Sequence, residues 1–170
     1  MVINSDIILR GSVWREAAER YASIFRERTN YDVFLLSTSI GVVYDKRKET
    51  VDDGSGQEIS IPRTVFNGRT DPFEKLLQTA ILSSGTVNLS DEDRMKIAFS
   101  EKEGDFNRVQ LLVEYANYGV EKLNSLVGVD DVETMENLKN LIVGTVEGSN
   151  FEITSLSDDV VAEAFAEYEV

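Results

Sequence analysis

Residues 31–44 read YDVFLLSTSIGVVY, and the fold turns on how that stretch is taken. Only Asp32 is charged, no proline interrupts, and apolar residues fall on all sides rather than at alternate positions. A helix that is apolar all round is a buried one, and this run falls short of the ~18 residues that a membrane span needs. The stretch predicts a helix at the centre of the core. Its small residues, Ser37, Ser39 and Gly41, leave room for a neighbour to come close.

The longest helical periodicity in the chain lies further on, over 105–126, with Val109, Leu112, Val113, Ala116, Val120 and Leu123 on one face. Gly119 predicts a tight crossing there. Before the central run, Ser12 reads as a helix cap, followed by a stripe of Trp14, Ala17, Ala18, Tyr21, Ile24 and Phe25. Arg15 with Glu19 and Glu16 with Arg20 stand at the spacing of helical ion pairs, and Thr29 and Asn30 read as the break. After it, 46–57 is polar, with Asp53-Gly54-Ser55-Gly56 as a turn. Residues 58–61 alternate polar and apolar, which predicts a short strand or hairpin arm ended by Pro62.

Helix starts follow in series. Asp71-Pro72-Phe73-Glu74 opens one that runs through Leu76, Leu77, Ala80 and Ile81 to Ser84. Ser90 with Asp93 opens a shorter one bearing Met95, Ile97 and Phe99, and Asp130 with Glu133 one bearing Met135, Leu138, Leu141 and Ile142. Past Gly144 and Gly148 the pattern weakens. Ser157-Asp158-Asp159 then starts an acidic helix with Val160, Val161, Ala164 and Phe165. The expectation is a mostly α, single compact domain of about six or seven helices with a short β hairpin or strand near 58–61. The helical core is read as 1–147 and the acidic C-terminal extension as 148–170.

The chain of 170 residues carries 31 acids against 17 bases, a net charge of −14. Residues 1–100 hold 15 acids and 13 bases, and 101–170 hold 16 and 4, so nearly all of the net charge lies in the C-terminal part. Such a field repels phosphate backbones and attracts basic surfaces. The acidity reads either as a solvated face that keeps the protein in solution or as a surface for a protein partner with a basic surface, and direct nucleic-acid binding is not expected. Arg10, Arg15, Arg20, Arg26 and Arg28 form the one basic stretch of note. The first nine residues lack the cationic start and cleavage site of a signal peptide, no apolar run predicts a membrane segment, and the chain is read as cytoplasmic.

Cysteine and histidine are both absent, which removes thiol nucleophiles, disulfides, thiolate metal sites and the usual general base. No Gly-Lys dipeptide exists to make a P-loop, and no Gly-x-Ser-x-Gly elbow is present. None of the seven lysines follows an acid two residues earlier, as the carboxylate–x–lysine step of many restriction nucleases requires. Two carboxylate clusters remain, Asp91-Glu92-Asp93 and Asp52, Asp53 with Glu58. Either suits a hard cation, but the first also suits a helix start and the second a glycine-rich turn. No catalytic residue, metal ligand or cofactor site is assigned.

Tyr115 and Tyr118, beside Asn117 and Gly119, read either as packing at the rim of the core or as an interface anchor. Arg63 and Arg69, flanking Val65 and Phe66, read as a solvated connection or a partner-binding loop. With the acidic half, the expected partner-binding residues are Tyr115, Tyr118, Glu121, Glu133, Glu136, Asp158, Asp159, Glu163 and Glu167.

Several segments form a familiar series. Tyr31-Asp32-Val33-Phe34-Leu35-Leu36 leads to Ile40-Gly41 and Lys46-Arg47, and Glu58-Ile59-Ser60-Ile61-Pro62 leads to Val65-Phe66. Glu114-Tyr115-Ala116-Asn117-Tyr118-Gly119 follows, then Glu136-Asn137-Leu138 and Asn140-Leu141-Ile142. Their order and spacing resemble the small Dnd system-associated proteins encoded beside bacterial DNA phosphorothioation and restriction genes, over roughly 17–142. The resemblance implies a non-enzymatic accessory or regulatory role in modification-dependent defence, and it carries over no catalytic residue. The segment 148–170 is an addition to the usual pattern. Two other classes stand beside this reading: an acidic DNA-mimic decoy that blocks a DNA-binding protein or nuclease, and a carboxylate-metal enzyme.

Overall fold

Helix α3 (Thr29–Val43) is the axis of the structure, a computed structural model that describes residues 4–26, 29–68, 70–99 and 106–148. Ahead of it come strand β1 (Ile7–Arg10), helix α1 (Ser12–Arg20) and the single turn α2 (Ala22–Phe25). After it come β2 (Glu58–Ile61), α4 (Arg63–Asn67), α5 (Thr70–Ser83), α6 (Asp91–Phe99), α7 (Arg108–Asn124) and α8 (Asp131–Val146). Among the described residues this makes eight helices and one two-stranded sheet, the mostly α architecture expected. No helix of the described residues is long and apolar enough to cross a membrane.

α3 and α7 touch through their backbones. A Cβ added at Gly41 would stand 2.1 Å from the carbonyl oxygen of Tyr115, and one at Gly119 1.8 Å from that of Ser37. The two approaches pair the helices in opposite directions, so α3 and α7 run antiparallel across the contact. Within α3, the hydroxyls of Thr38 and Ser39 donate to the carbonyls of Phe34 and Leu35 at 2.7 and 2.8 Å. Thr38 and Ser39 are thus tolerated inside an apolar helix because they satisfy themselves on the preceding turn.

The remaining elements pack around this pair. Trp14 of α1 is fully buried, and its indole N–H donates to Asn117 of α7 at 3.1 Å. Tyr21 donates to the carbonyl of Leu123 at 2.9 Å, and burial pushes its hydroxyl pKa up to about 12, so it stays a donor. Phe34, Phe66 and Phe73 bring α3, α4 and α5 together, with the rings of Phe66 and Phe73 centred 5.0 Å apart and nearly edge to face. Between α5 and α6 the guanidinium of Arg94 donates to the carbonyls of Ile81, Ser84, Val87 and Leu89. One cation at the end of α5 thus answers four acceptors that the helix end and its turn leave over.

Several expectations change in detail. The strand at 58–61 is present, but its antiparallel partner is β1, in the register Ile7↔Ile61 and Leu9↔Ile59, rather than a sequence neighbour. Those four apolar side chains point into the core from alternating positions. Ser12 is not a cap. Gly11 precedes α1 at φ +113°, where an added Cβ would stand 2.3 Å from the carbonyl oxygen of Val51, and the Ser12 hydroxyl donates to Asp53 instead. Thr29 and Asn30 open α3 rather than ending a longer first helix, because the chain has already turned at Arg26, which has φ +49°. Residues 63–67 form helix α4 and not a loop: the backbone N–H of Arg63 donates to Asp6 and its guanidinium to the carbonyl of Asn4. Arg69 lies outside the described residues.

Caps with local partners stand where expected. Asp93 N–H donates to the Ser90 hydroxyl at 3.2 Å, and Glu133 N–H to the Asp130 carboxylate at 2.8 Å. Gly148, at φ +74°, follows the last turn of α8 at the expected start of the extension.

Gly41→Ala and Gly119→Ala are each expected to lose about 3 kcal/mol of stability, because helix backbones must separate to admit the methyl group. Denaturant unfolding of the two variants measures it. Arg94→Lys is expected to lose about 1–3 kcal/mol in the same assay, since an ammonium cannot reach four divergent carbonyls.

Candidate functional site

The aromatic and acidic residues singled out in the sequence do not assemble into one surface. Tyr115 sits on α7 against Gly41, is fully buried, and donates its hydroxyl to Asp45 at 2.8 Å. Of its two readings, packing is the one that the structure bears out, deeper than the rim, and nothing of its side chain is offered to a partner. Asp45, at the end of α3 with φ +46°, also accepts from the Ser84 hydroxyl at 2.7 Å and from the backbone N–H groups of Gly85 and Thr86. Burial pushes the Asp45 carboxyl up, but the hydrogen bonds from Ser84, Tyr115, Gly85 and Thr86 together outweigh it and hold the group below its ordinary value. Burial raises the Tyr115 hydroxyl, which keeps it a donor. The cluster is a polar joint that ties α3, α7 and the α5–α6 turn.

Tyr118 is half-buried with its ring 6.2 Å from that of Tyr44. The ammonium of Lys46 stands 5.8 Å from the Tyr118 ring centre, and that of Lys122 stands 5.7 Å from the Tyr44 ring centre. Tyr118 therefore belongs to a cation–aromatic patch and not to an acidic face. Glu121 is tied to Lys48 by a short ion pair. Glu133 accepts from the backbone N–H of Val129 at 2.6 Å and packs over Gly128, so its work is to hold the start of α8. Glu136 is exposed on α8. Asp158, Asp159, Glu163 and Glu167 lie outside the described residues.

The basic stretch at the N-terminal end is largely answered by acids: Arg15 by Glu19 at 2.6 Å, Arg20 by Glu16 at 2.9 Å and Arg10 by Glu58 at 3.7 Å. The two carboxylate clusters do not converge on an ion site. Asp53 accepts from Ser12 and Ser55, which hold it well below the usual carboxylate range, while Asp52 accepts from Gly54. Asp91, Glu92 and Asp93 occupy the first turn of α6. No group of three or more potential metal ligands comes together among the described residues.

What the fold does bring together is apolar. α8 buries Leu138 and Leu141 but leaves Val132 69% exposed, Met135 49%, Ile142 55% and Val146 83%. Met135 and Ile142 stand at the open edge of the core because α8 packs through one narrow face. With Ile24, Phe25, Leu35 and Leu36 they line a groove of about 690 Å³ between α2–α3 and α8. The sequence signal for this face is the spacing of Val132, Met135, Ile142 and Val146 around a helix, which the reading of the core passed over. Before α8, Val129 is 94% exposed beside Asp130 and Asp131.

Neither a family model, nor a curated protein, nor a solved structure matches the chain.

Asp45→Asn is expected to lower stability at neutral pH by about 2 kcal/mol, through weaker acceptance from Tyr115 and Ser84. Because the Asp45 pKa is depressed on folding, its contribution is present above the ordinary carboxyl value of 3.8 and is lost as pH falls through the folded value. The variant's stability is therefore expected to fall less steeply than that of the parent below about pH 4. Thermal unfolding across pH measures both effects.

Proposed function

We propose that the chain is a non-enzymatic accessory protein that acts in the cytoplasm by docking onto a protein with a basic surface, within a DNA phosphorothioation-dependent defence system. The observation that carries this reading is the acidic start of α8. Val129 and Val132 are 94% and 69% exposed, and the exposed Asp130, Asp131 and Glu136 surround them. No lysine or arginine occurs between Lys122 and Lys139. Two apolar anchors within an unrelieved acidic field are suited to a contact whose centre is desolvated and whose rim steers a cationic partner.

The resemblance over 17–142 supplies the context: subunits of modification and restriction systems handle DNA and carry basic surfaces. Of the residues expected to bind, the proposal keeps Glu136 from the described part and Asp158, Asp159, Glu163 and Glu167 from the extension. It releases Tyr115, Tyr118, Glu121 and Glu133, whose side chains are engaged within the fold.

The test is capture of purified phosphorothioation and restriction subunits by the immobilised full chain, at low and at high salt. Association is expected at ~50 mM salt and to weaken about tenfold by ~300 mM, as screening of rim charges requires. Asp131→Lys with Glu136→Lys is expected to weaken it by at least about tenfold at low salt. No association at low salt removes the reading. Displacement of DNA from a captured subunit replaces the accessory role with the decoy.

A further inference from the structure

The groove between α3 and α8 is an open apolar surface inside an otherwise well-packed molecule. Phe25, Leu35 and Leu36 form one wall, and Met135, Ile142 and Val143 the other. Ile142 and Met135 are about half exposed there, so covering them takes further apolar surface out of water. α8 ends at Val146, and Gly148 just beyond it, with φ +74° and its N–H bonded to the Thr145 carbonyl at 3.2 Å, turns the chain off the helix axis.

The residues that follow carry a matching pattern. Val160, Val161, Ala164, Phe165 and Tyr168 fall on one face at helical spacing, with Asp159, Glu163 and Glu167 on the flank. Eight residues, 149–156, separate Gly148 from the start of that pattern at Ser157. Extended, they span about 27 Å, against about 24 Å for the sixteen residues of α8. The connection therefore reaches any point along the groove. Lys139, on the groove wall, is the last basic residue of the chain, and seven acids follow it.

We propose that residues 157–168 dock as an amphipathic helix in the groove between α3 and α8 of their own chain, with Val161 and Phe165 against Met135 and Ile142. The occupant is intramolecular because the apolar pattern begins within reach of the groove that the same chain leaves open. Docking turns the acids of the segment away from the apolar floor, alongside Glu136, and so enlarges the acidic face. It needs no partner protein, so it stands or falls separately from the accessory role.

Hydrogen–deuterium exchange on the purified full chain, at two protein concentrations, tests it. Amides of 157–168 are expected to exchange at least about tenfold slower than in an unstructured peptide, equally at both concentrations. Val161→Asp with Phe165→Asp is expected to abolish that protection. So is Met135→Asp with Ile142→Asp, whose sites are exposed enough for the fold to survive, and α3 and α7 should keep their protection throughout. Free-peptide exchange in the parent overturns the proposal. So does protection that survives the groove variant, which means docking elsewhere, or protection lost on dilution, which means that a second copy fills the groove.

Discussion

The structure depends on two helices approaching until their backbones meet. Gly41 faces the main chain of Tyr115, and Gly119 faces that of Ser37, in opposite senses along the contact. Side chains normally hold helices about 8–10 Å apart; here the spacers are absent at both points. The crossing has no slack, so the positions of everything attached to α3 and α7 follow from it. Trp14 and Tyr21 reach α7 with hydrogen bonds of fixed length, and Asp45 reaches Tyr115. Moving the crossing outward by the width of a methyl group would strain all three.

That constraint explains how polar groups are spent. Asn117 accepts from Trp14 and donates to the carbonyls of Lys48 and Glu49, tying α1 and the polar connection after α3 to one side of α7. Asp45 does the same on the other side for the α5–α6 turn, which Arg94 fills from below. Asn117 and Asp45 thus join segments that carry no regular structure of their own, through partners from distant elements. Among the carboxylates that looked available for chemistry, Asp53 ties Ser12 to its own turn, and Asp93 accepts from the Ser90 cap of its own helix.

The legible part of the fold was what short-range physics decides. The all-apolar run at 31–44, the small residues in it and the capping pairs Ser90–Asp93 and Asp130–Glu133 act within a turn or two, and the structure has them all. Ser12 failed as a cap because its partner is Asp53, 41 residues away, and β1 was missed because Ile7-Ile8-Leu9-Arg10 shows no alternation until pairing with β2 buries every second residue. Met135 and Ile142 show that periodicity identifies an apolar face without saying whether anything covers it. Tyr115 was left between core and surface because only Asp45, 70 residues distant, decides where its hydroxyl goes. The candidate site was less legible than the fold, since exposure is a property of the assembled molecule.

The distance along the chain between α3 and α7 has a consequence during synthesis. Contacts such as Trp14 with Asn117 join residues 103 apart, and helical proteins whose neighbours in sequence are neighbours in space avoid that separation. At about 5–20 residues per second, α3 leaves the ribosome several seconds before the helix that will cover it. During that interval this apolar helix lacks the neighbour that will bury it. The hydroxyls of Thr38 and Ser39, folded back onto their own helix, add to the apolar surface that it shows. A nascent chain of this design is a natural client for chaperones that bind short apolar segments.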